Sequence, residues 1–194
     1  MRPLAVALTG GIAAGKSEAL HAFARHGAAV ESSDEIVHRL YREDEGLRAA
    51  VRDRWGDRVF ADGEVDRAAV AAIVFADRAE LDWLEAELHP RVRAAAGAWL
   101  QALGAAAPPP ALAVVEIPLL YETGGEERFD AVVVVTAPAE LREQRRGGLA
   151  ERETRLVPDE EKLRRADFAY VNDGSLEQLD AFVAAVVAEL APAS

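Results

Sequence analysis

The chain has 194 residues and a formal net charge of -12, with 22 basic residues against 34 acidic ones, which excludes a protein whose main task is non-specific binding of nucleic-acid phosphates. It contains no cysteine and four histidines, so disulfides, thiol chemistry and a structural zinc site are set aside. No run approaches the roughly 20 apolar residues that span a bilayer, and the apolar stretch at the amino terminus is too short for a signal segment. A soluble, cytoplasmic protein is expected, monomeric or weakly homo-oligomeric, working on small molecules and not on nucleic acid or membrane.

In chain order, Leu4 to Leu8 is a continuous apolar run that passes at once into Thr-Gly-Gly, the pattern of a strand buried on both faces. A helix is predicted from Gly15 to His26, with Leu20, Phe23 and Ala24 at i, i+3 and i+4 and Gly27 as its stop. "AAVESSD" reads as a second strand ending in a loop at Asp34. From Glu35 to about Leu103 the pattern is helical, with breaks at "WGDRVFADGEVD" and at His89-Pro90, because proline disfavours helix in the residue before it. "GAAAPPP" is a linker into a third buried strand, "ALAVVEIP", and "DAVVVVTAP" is a fourth. The charged stretch from Ala139 to Asp167 is predicted helical, "FAYVNDGS" a short fifth strand, and Ser175 the head of a terminal helix. Strands alternating with helices imply a parallel sheet covered on both faces.

One detail of composition directs attention to the first turn. Of the 22 basic residues, 20 are arginine; lysine occurs at positions 16 and 162 alone. Lys16 closes Gly10-Gly11-Ile12-Ala13-Ala14-Gly15-Lys16-Ser17, which satisfies G-x-x-x-x-G-K-[ST] between a buried strand and an amphipathic helix. Glycines let backbone amides turn toward phosphate oxygens, and the helix amino terminus adds partial positive charge at the same place. In this pattern the lysine reaches the outer phosphates of a nucleoside triphosphate, and the Ser17 hydroxyl is a ligand for Mg2+.

Small-molecule kinases, GTP switches and ATP-driven motors share such a loop. No N-K-x-D guanine reader follows a late strand, and a motor needs more chain, so a compact kinase fits best. Asp34, at the carboxyl end of the second strand, can accept the proton of an attacking hydroxyl or hold Mg2+ through water; it can equally cap the helix it precedes. Glu116 stands in the usual position of a second metal-binding carboxylate, or is a buried strand glutamate paired with an arginine. Arg142, Arg145, Arg146, Arg152 and Arg155 outnumber Glu143, Glu151 and Glu153 in the segment after the fourth strand. That excess suits a helical lid closing over transferring phosphates.

The chain resembles the dephospho-CoA kinase family nearly end to end. The likeness is carried by "LTGGIAAGKS", then "SSDEIVHRLY" where the family has D-x-D-x-x-x-H, and "WGDRVFADGEVDRAAVAAIVFAD" with its G, G-x-[IV]-D-R and V-F elements. It continues in "LEAELHPRV" for L-x-x-x-x-H-P-x-V, "VVEIPLLYETG" for P-L-L-[FY]-E, and "EEKLRRADFAYVNDGSLEQL" for E-E-K, A-D and N-x-G-S. The loop alone is shared widely; the ordered set of H-P, P-L-L-Y-E, A-D and N-x-G-S is the specific part.

The resemblance implies a three-layer α/β phosphate-loop kinase with a five-stranded parallel sheet. Its core would cover residues 1–34, 108–138 and 166–194, with a helical CoA-binding insertion over 35–107 and a lid over 139–165. The implied reaction transfers the γ-phosphoryl of ATP, with Mg2+, to the ribose 3'-hydroxyl of dephospho-CoA. Alternatives are another phosphate-loop nucleotide or nucleoside kinase, or an ATP-binding relative without turnover. By the same resemblance Gly10 to Ser17 and Glu18 lie against ATP, Arg145 is the lid arginine, and Asn172 lies near the adenine. Asp34 activates the hydroxyl, while His89, Pro118 and Leu119 shape the acceptor side. The chain departs from the family pattern at Ala13-Ala14 (usually Gly-Ser), Glu18 (often Thr), Ser32 (Asp) and Leu156 (Gln), and its lid is shorter. Glu18 near the α-phosphate is expected to weaken ATP affinity by repulsion.

Overall fold

In the computed structural model, which describes residues 2–147 and 156–191, strand β1 (Leu4–Gly10) lies at the centre of a five-stranded sheet. The order is β2 (Ala29–Ser32), β5 (Leu112–Glu116), β1, β6 (Ala131–Thr136) and β7 (Phe168–Val171), and every pairing is parallel. All five strands correspond to the runs read from sequence. Side chains alternate across a strand, and here both faces are buried. Val6, Leu8, Val133 and Val135 enter one apolar cluster; Ala7, Val132 and Val134 enter another on the opposite face. That two-sided burial is why the strands read as continuous apolar runs and not as alternation.

The first cluster is closed by α1 (Lys16–Arg25) and the carboxyl-terminal helix, which bring Leu20, Phe23, Leu179, Val183 and Val186 onto the sheet. Helix α1 stops as the sequence predicts: Ala28 N–H donates to Phe23 O and Gly27 N–H to Ala24 O, with Gly27 at φ +87. The terminal helix, Leu176–Leu190, starts at Ser175 through a capping box with Gln178.

By packing, the chain divides into two units: the sheet unit, up to Ser32 and from Trp99 onward, and a helical unit, Ser33–Ala98. The helical unit holds α2 (Ser33–Glu43), α3 (Glu45–Trp55), α4 (Arg67–Ala76) and most of α5 (Arg78–Gly104). Its own core contains Tyr41, Leu47, Val51, Trp55, Val59, Val70, Val74 and Leu84. Burial pushes the Tyr41 phenol up to about 12. Asp44 and Asp66 cap α3 and α4 by accepting from Leu47 N–H (2.7 Å) and Ala68 N–H (2.9 Å).

Two features differ from expectation. The predicted break at His89-Pro90 is absent, and α5 continues through Pro90. Proline removes there the intrahelical donor that would reach Ala86 O; in the same turn the Arg91 guanidinium donates to Glu87 O and to its carboxylate, both at 2.7 Å. The stretch read as a plain break after Trp55 instead contains a hairpin, β3 (Phe60–Ala61) with β4 (Glu64–Val65). Its loop is Asp62-Gly63, both at positive φ, the Asp-Gly pairing that a two-residue hairpin turn favours.

Beyond β6, among the described residues, the sheet unit carries the short helices α6 (Ala139–Arg145) and α7 (Asp159–Arg165) before β7 and α8 (Leu176–Leu190). Arg152 and Arg155 lie outside the described residues. Among the described residues, no helix is long and apolar enough to cross a membrane.

Candidate active site

The turn from β1 to α1 is shaped by two close approaches. Gly10 has φ +142, and a Cβ there would fall 1.8 Å from Val135 O on the neighbouring strand. Gly15 has φ +101, and a Cβ there would fall 2.4 Å from Asn172 Nδ2. Neither position accepts a side chain, so both glycines of the motif are required by this backbone. Between them Ala13 adopts φ 58.

Lys16 bends back over the turn, its Nζ donating to Gly11 O (2.9 Å) and Gly10 O (3.4 Å). Asn172 is buried at the end of β7, where its N–H donates to Thr136 O (2.7 Å) and its side-chain amide to Ala14 O (2.8 Å). The sheet therefore holds the loop from two strands, β6 through Gly10 and β7 through Asn172. On the far side of the turn, the exposed Arg145 of α6 donates from Nη1 to Ala13 O (3.2 Å).

These groups border one open cleft of ≈ 600 Å³, lined by residues 13–18, Glu116, Arg145, Asn172 and residues 174–176. The size is within the range of small-molecule sites, about 300–1,000 Å³. Of the residues predicted for ATP, the structure thus brings Ala13, Ala14, Gly15, Lys16, Ser17, Glu18, Arg145 and Asn172 together at the cleft, with Gly10, Gly11 and Ile12 forming the strand side of the same turn. Leu176, 61% exposed, adds an apolar surface at the cleft that sequence reading did not single out. An apolar residue at the first position of a helix gives no periodic signal of such a role.

Glu116 ends β5 in register with Leu8 of β1 and Ser32 of β2, so all three lie at the carboxyl edge of the sheet. Ser32 is buried, and Asp34 follows two residues later, exposed in the first turn of α2. Pro118 and Leu119, both half-buried, open the turn after β5, where Thr9 Oγ1 donates to Pro118 O (3.4 Å). His89 is half-buried within α5 of the helical unit.

Glu18 does not project bare charge at the cleft. Its Oε1 accepts from Arg25 Nη1 at 3.1 Å, two turns along the same helix face, and Arg25 also donates to Asp180 Oδ1 at 2.8 Å. Arg25 thus offsets part of the charge behind the repulsion expected from sequence. Leu156 is half-buried in the segment leading to α7.

The donor set fits Mg2+ held largely by nucleotide phosphates. Ser17 and Glu116 offer hard oxygens at the cleft, while among the described residues no group of three or more His, Cys, Asp or Glu could form an all-protein metal cage.

A buried parallel sheet whose central strand turns through a glycine-rich loop into a helix, with a lysine, a serine and an arginine at one cleft, defines a phosphate-loop kinase of the α/β class. A family model described as dephospho-CoA kinase matches residues 4–178. The chain belongs to the dephospho-CoA kinase family. It is 45% identical over 195 residues to the dephospho-CoA kinase of Mesorhizobium japonicum, covering 96% of each chain. Among solved structures, a Thermus thermophilus protein matches with TM-score 0.78 at 36% identity over 98% of this chain and 99% of its own. Dephospho-CoA kinase from Campylobacter jejuni matches with TM-score 0.69 at 27% identity over 96% of both chains.

Proposed function

We propose that the chain transfers the γ-phosphoryl group of ATP to the 3'-hydroxyl of the ribose of dephospho-CoA, giving CoA and ADP. The observation that carries this reading is the preformed phosphate loop, held by two strands and facing Arg145, in a member of this family.

In the reaction the acceptor oxygen bonds to the γ-phosphorus as the bond to the β,γ-bridging oxygen breaks, and the acceptor proton leaves. Backbone amides of residues 10–17 and the α1 amino terminus hold the β-phosphate side. Lys16 exchanges its carbonyl partners for phosphate oxygens, and Arg145 exchanges Ala13 O for charge that develops on the transferred group and on ADP. Asp34 orients the hydroxyl and accepts its proton; a loose transition state asks little of it as a base, so orientation is the larger part. Ser17, with Glu116 and with Asp34 through water, would hold Mg2+, which when bound neutralises phosphate charge. Pro118, Leu119 and His89 shape the acceptor side. Segment 139–165 acts as the lid and the helical unit as the acceptor-binding insertion. The setting is cytoplasmic, and the enzyme works as a monomer or weak homo-oligomer.

The test is phosphoryl transfer from ATP with Mg2+ to dephospho-CoA, beside AMP, dTMP and adenosine, with Asp34→Asn as control. Conversion of dephospho-CoA alone, lost in the variant, is the expected result. Nucleotide binding without transfer to any acceptor would overturn it.

A further inference from the structure

The second lysine of the chain lies where a cation is least expected. The Lys162 side chain on α7 is 1% exposed, with Nζ 2.9 Å from Glu122 Oε1 in the turn after β5. The same oxygen accepts from Val157 N–H (3.0 Å), and Glu122 Oε2 is buried with no hydrogen-bond partner among the described residues. Three residues earlier on α7, Asp159 faces Arg142 (3.4 Å), whose Nε donates to Ala137 O (2.9 Å). Both of those side chains press on the phosphate loop: a Cβ at Gly11 would be 3.0 Å from Asp159 Oδ2 and 3.2 Å from Arg142 Nη1. Three residues later, Arg165 stacks over Tyr121 at 4.2 Å and pairs with Glu126. One short helix therefore bears on the phosphate loop at its first turn and on the turn carrying Pro118 and Leu119 at its second.

An apolar pair could fill the places of Lys162 and Glu122 together at little loss of stability, because a buried ion pair recovers little of its desolvation cost. What an ion pair adds is direction: one Nζ–carboxylate geometry fixes the turn, where apolar packing tolerates sliding. We infer that the Lys162–Glu122 pair is a positioning device for the known reaction, fixing the acceptor-side turn relative to the phosphate loop. It rests on the reading of Pro118 and Leu119 as acceptor-side residues. Lys162 touches neither substrate and is a positioning residue.

The test uses the full chain with Glu122→Gln combined with Lys162→Met, which keeps volume and leaves no unpaired charge, and Lys162→Arg, which keeps a paired charge but changes its geometry, in case the double variant does not fold. Steady-state kinetics are run with each substrate varied, beside direct ATP binding and thermal melting. The expected result is a KM for dephospho-CoA raised about tenfold with a lower kcat, while the ATP dissociation constant stays within about twofold, since a misplacement near 1 Å is costly to an oriented reaction. Unchanged kinetics in a folded variant, or parallel rises for both substrates with a lowered melting temperature, would overturn the inference and leave a purely structural pair. Wild-type protein inactive toward dephospho-CoA would instead overturn the functional reading beneath it.

Discussion

The chain's two lysines occupy opposite environments on one sheet unit. Lys16 is half-buried at an open cleft and rests on loop carbonyls, neutral partners that a phosphate outcompetes. Lys162 is sealed from water against a carboxylate that nothing is placed to displace. The first charge is held ready for exchange; the second is committed. Everywhere else arginine serves, at surfaces and in ion pairs where a planar fork has room. In both special places a compact point charge on a slim stem is what fits.

The contrast predicts that the two lysines fail in different ways. The largest effect belongs to Lys162→Met alone, which strands the Glu122 carboxylate and should cost about 3–5 kcal/mol of stability, read by denaturant unfolding. Adding Glu122→Gln should recover most of that loss. Lys16→Ala should leave unfolding nearly unaltered while lowering kcat by roughly 10²–10³, the usual consequence of removing one donor to developing charge. A Lys16 variant that unfolds early, or a Lys162 variant that melts like wild type, would break the comparison.

Much of this was legible in the sequence because the signals are local. A continuous apolar run before G-x-x-x-x-G-K-S fixes strand, turn and helix in one stretch, and the five strands followed from similar runs. What stayed hidden depends on contacts distant in sequence. Nothing local tells that the glutamate of P-L-L-Y-E and the lysine of E-E-K meet, or that Asn172 reaches back 158 positions to Ala14. The passage of α5 through Pro90 runs against a local rule that disfavours helix before proline without forbidding it. The Asp62-Gly63 hairpin, by contrast, carries a local signal, since Asp-Gly is the two-residue turn pairing that joins short strands.

Asn172 offers an intermediate case. Its amide joins β7 to the loop, so Asn172→Ala leaves Ala14 O without that donor and should cost about 1–3 kcal/mol, with ATP affinity falling as the loop loosens. Unfolding and nucleotide titration would show both losses together, unlike Lys16→Ala, which separates them.

A smaller effect lies at the other end of the sheet. Asp130 accepts from Arg2 (2.7 Å) and from Ala5 N–H (2.8 Å), which hold its carboxyl below the ordinary aspartate range. A depressed value in the folded state means stability that is present above the unfolded value near 4 and is lost as pH falls through the folded one. Because Arg2 is largely exposed, Asp130→Asn should cost only about 1 kcal/mol at pH 7 and should flatten the acid limb of the stability curve.

The smallest effect tests how the cleft tolerates an acid beside its phosphate loop. Glu18 is in the first turn of α1, where the helix dipole favours a carboxylate, and Arg25 sits 3.1 Å away. Arg25, shared with Asp180 at 2.8 Å, offsets part of the Glu18 charge, and physiological salt screens the remainder over about 8 Å. Glu18→Thr should therefore change ATP affinity by less than about twofold, whereas Arg25→Ala should unmask the carboxylate, weakening ATP several-fold at low salt. Adding Glu18→Thr to Arg25→Ala should reverse that weakening. A tenfold gain in affinity from Glu18→Thr alone would show that the nucleotide feels the carboxylate despite its partner, and that charge at this edge of the cleft is neither exchanged like Lys16 nor committed like Lys162.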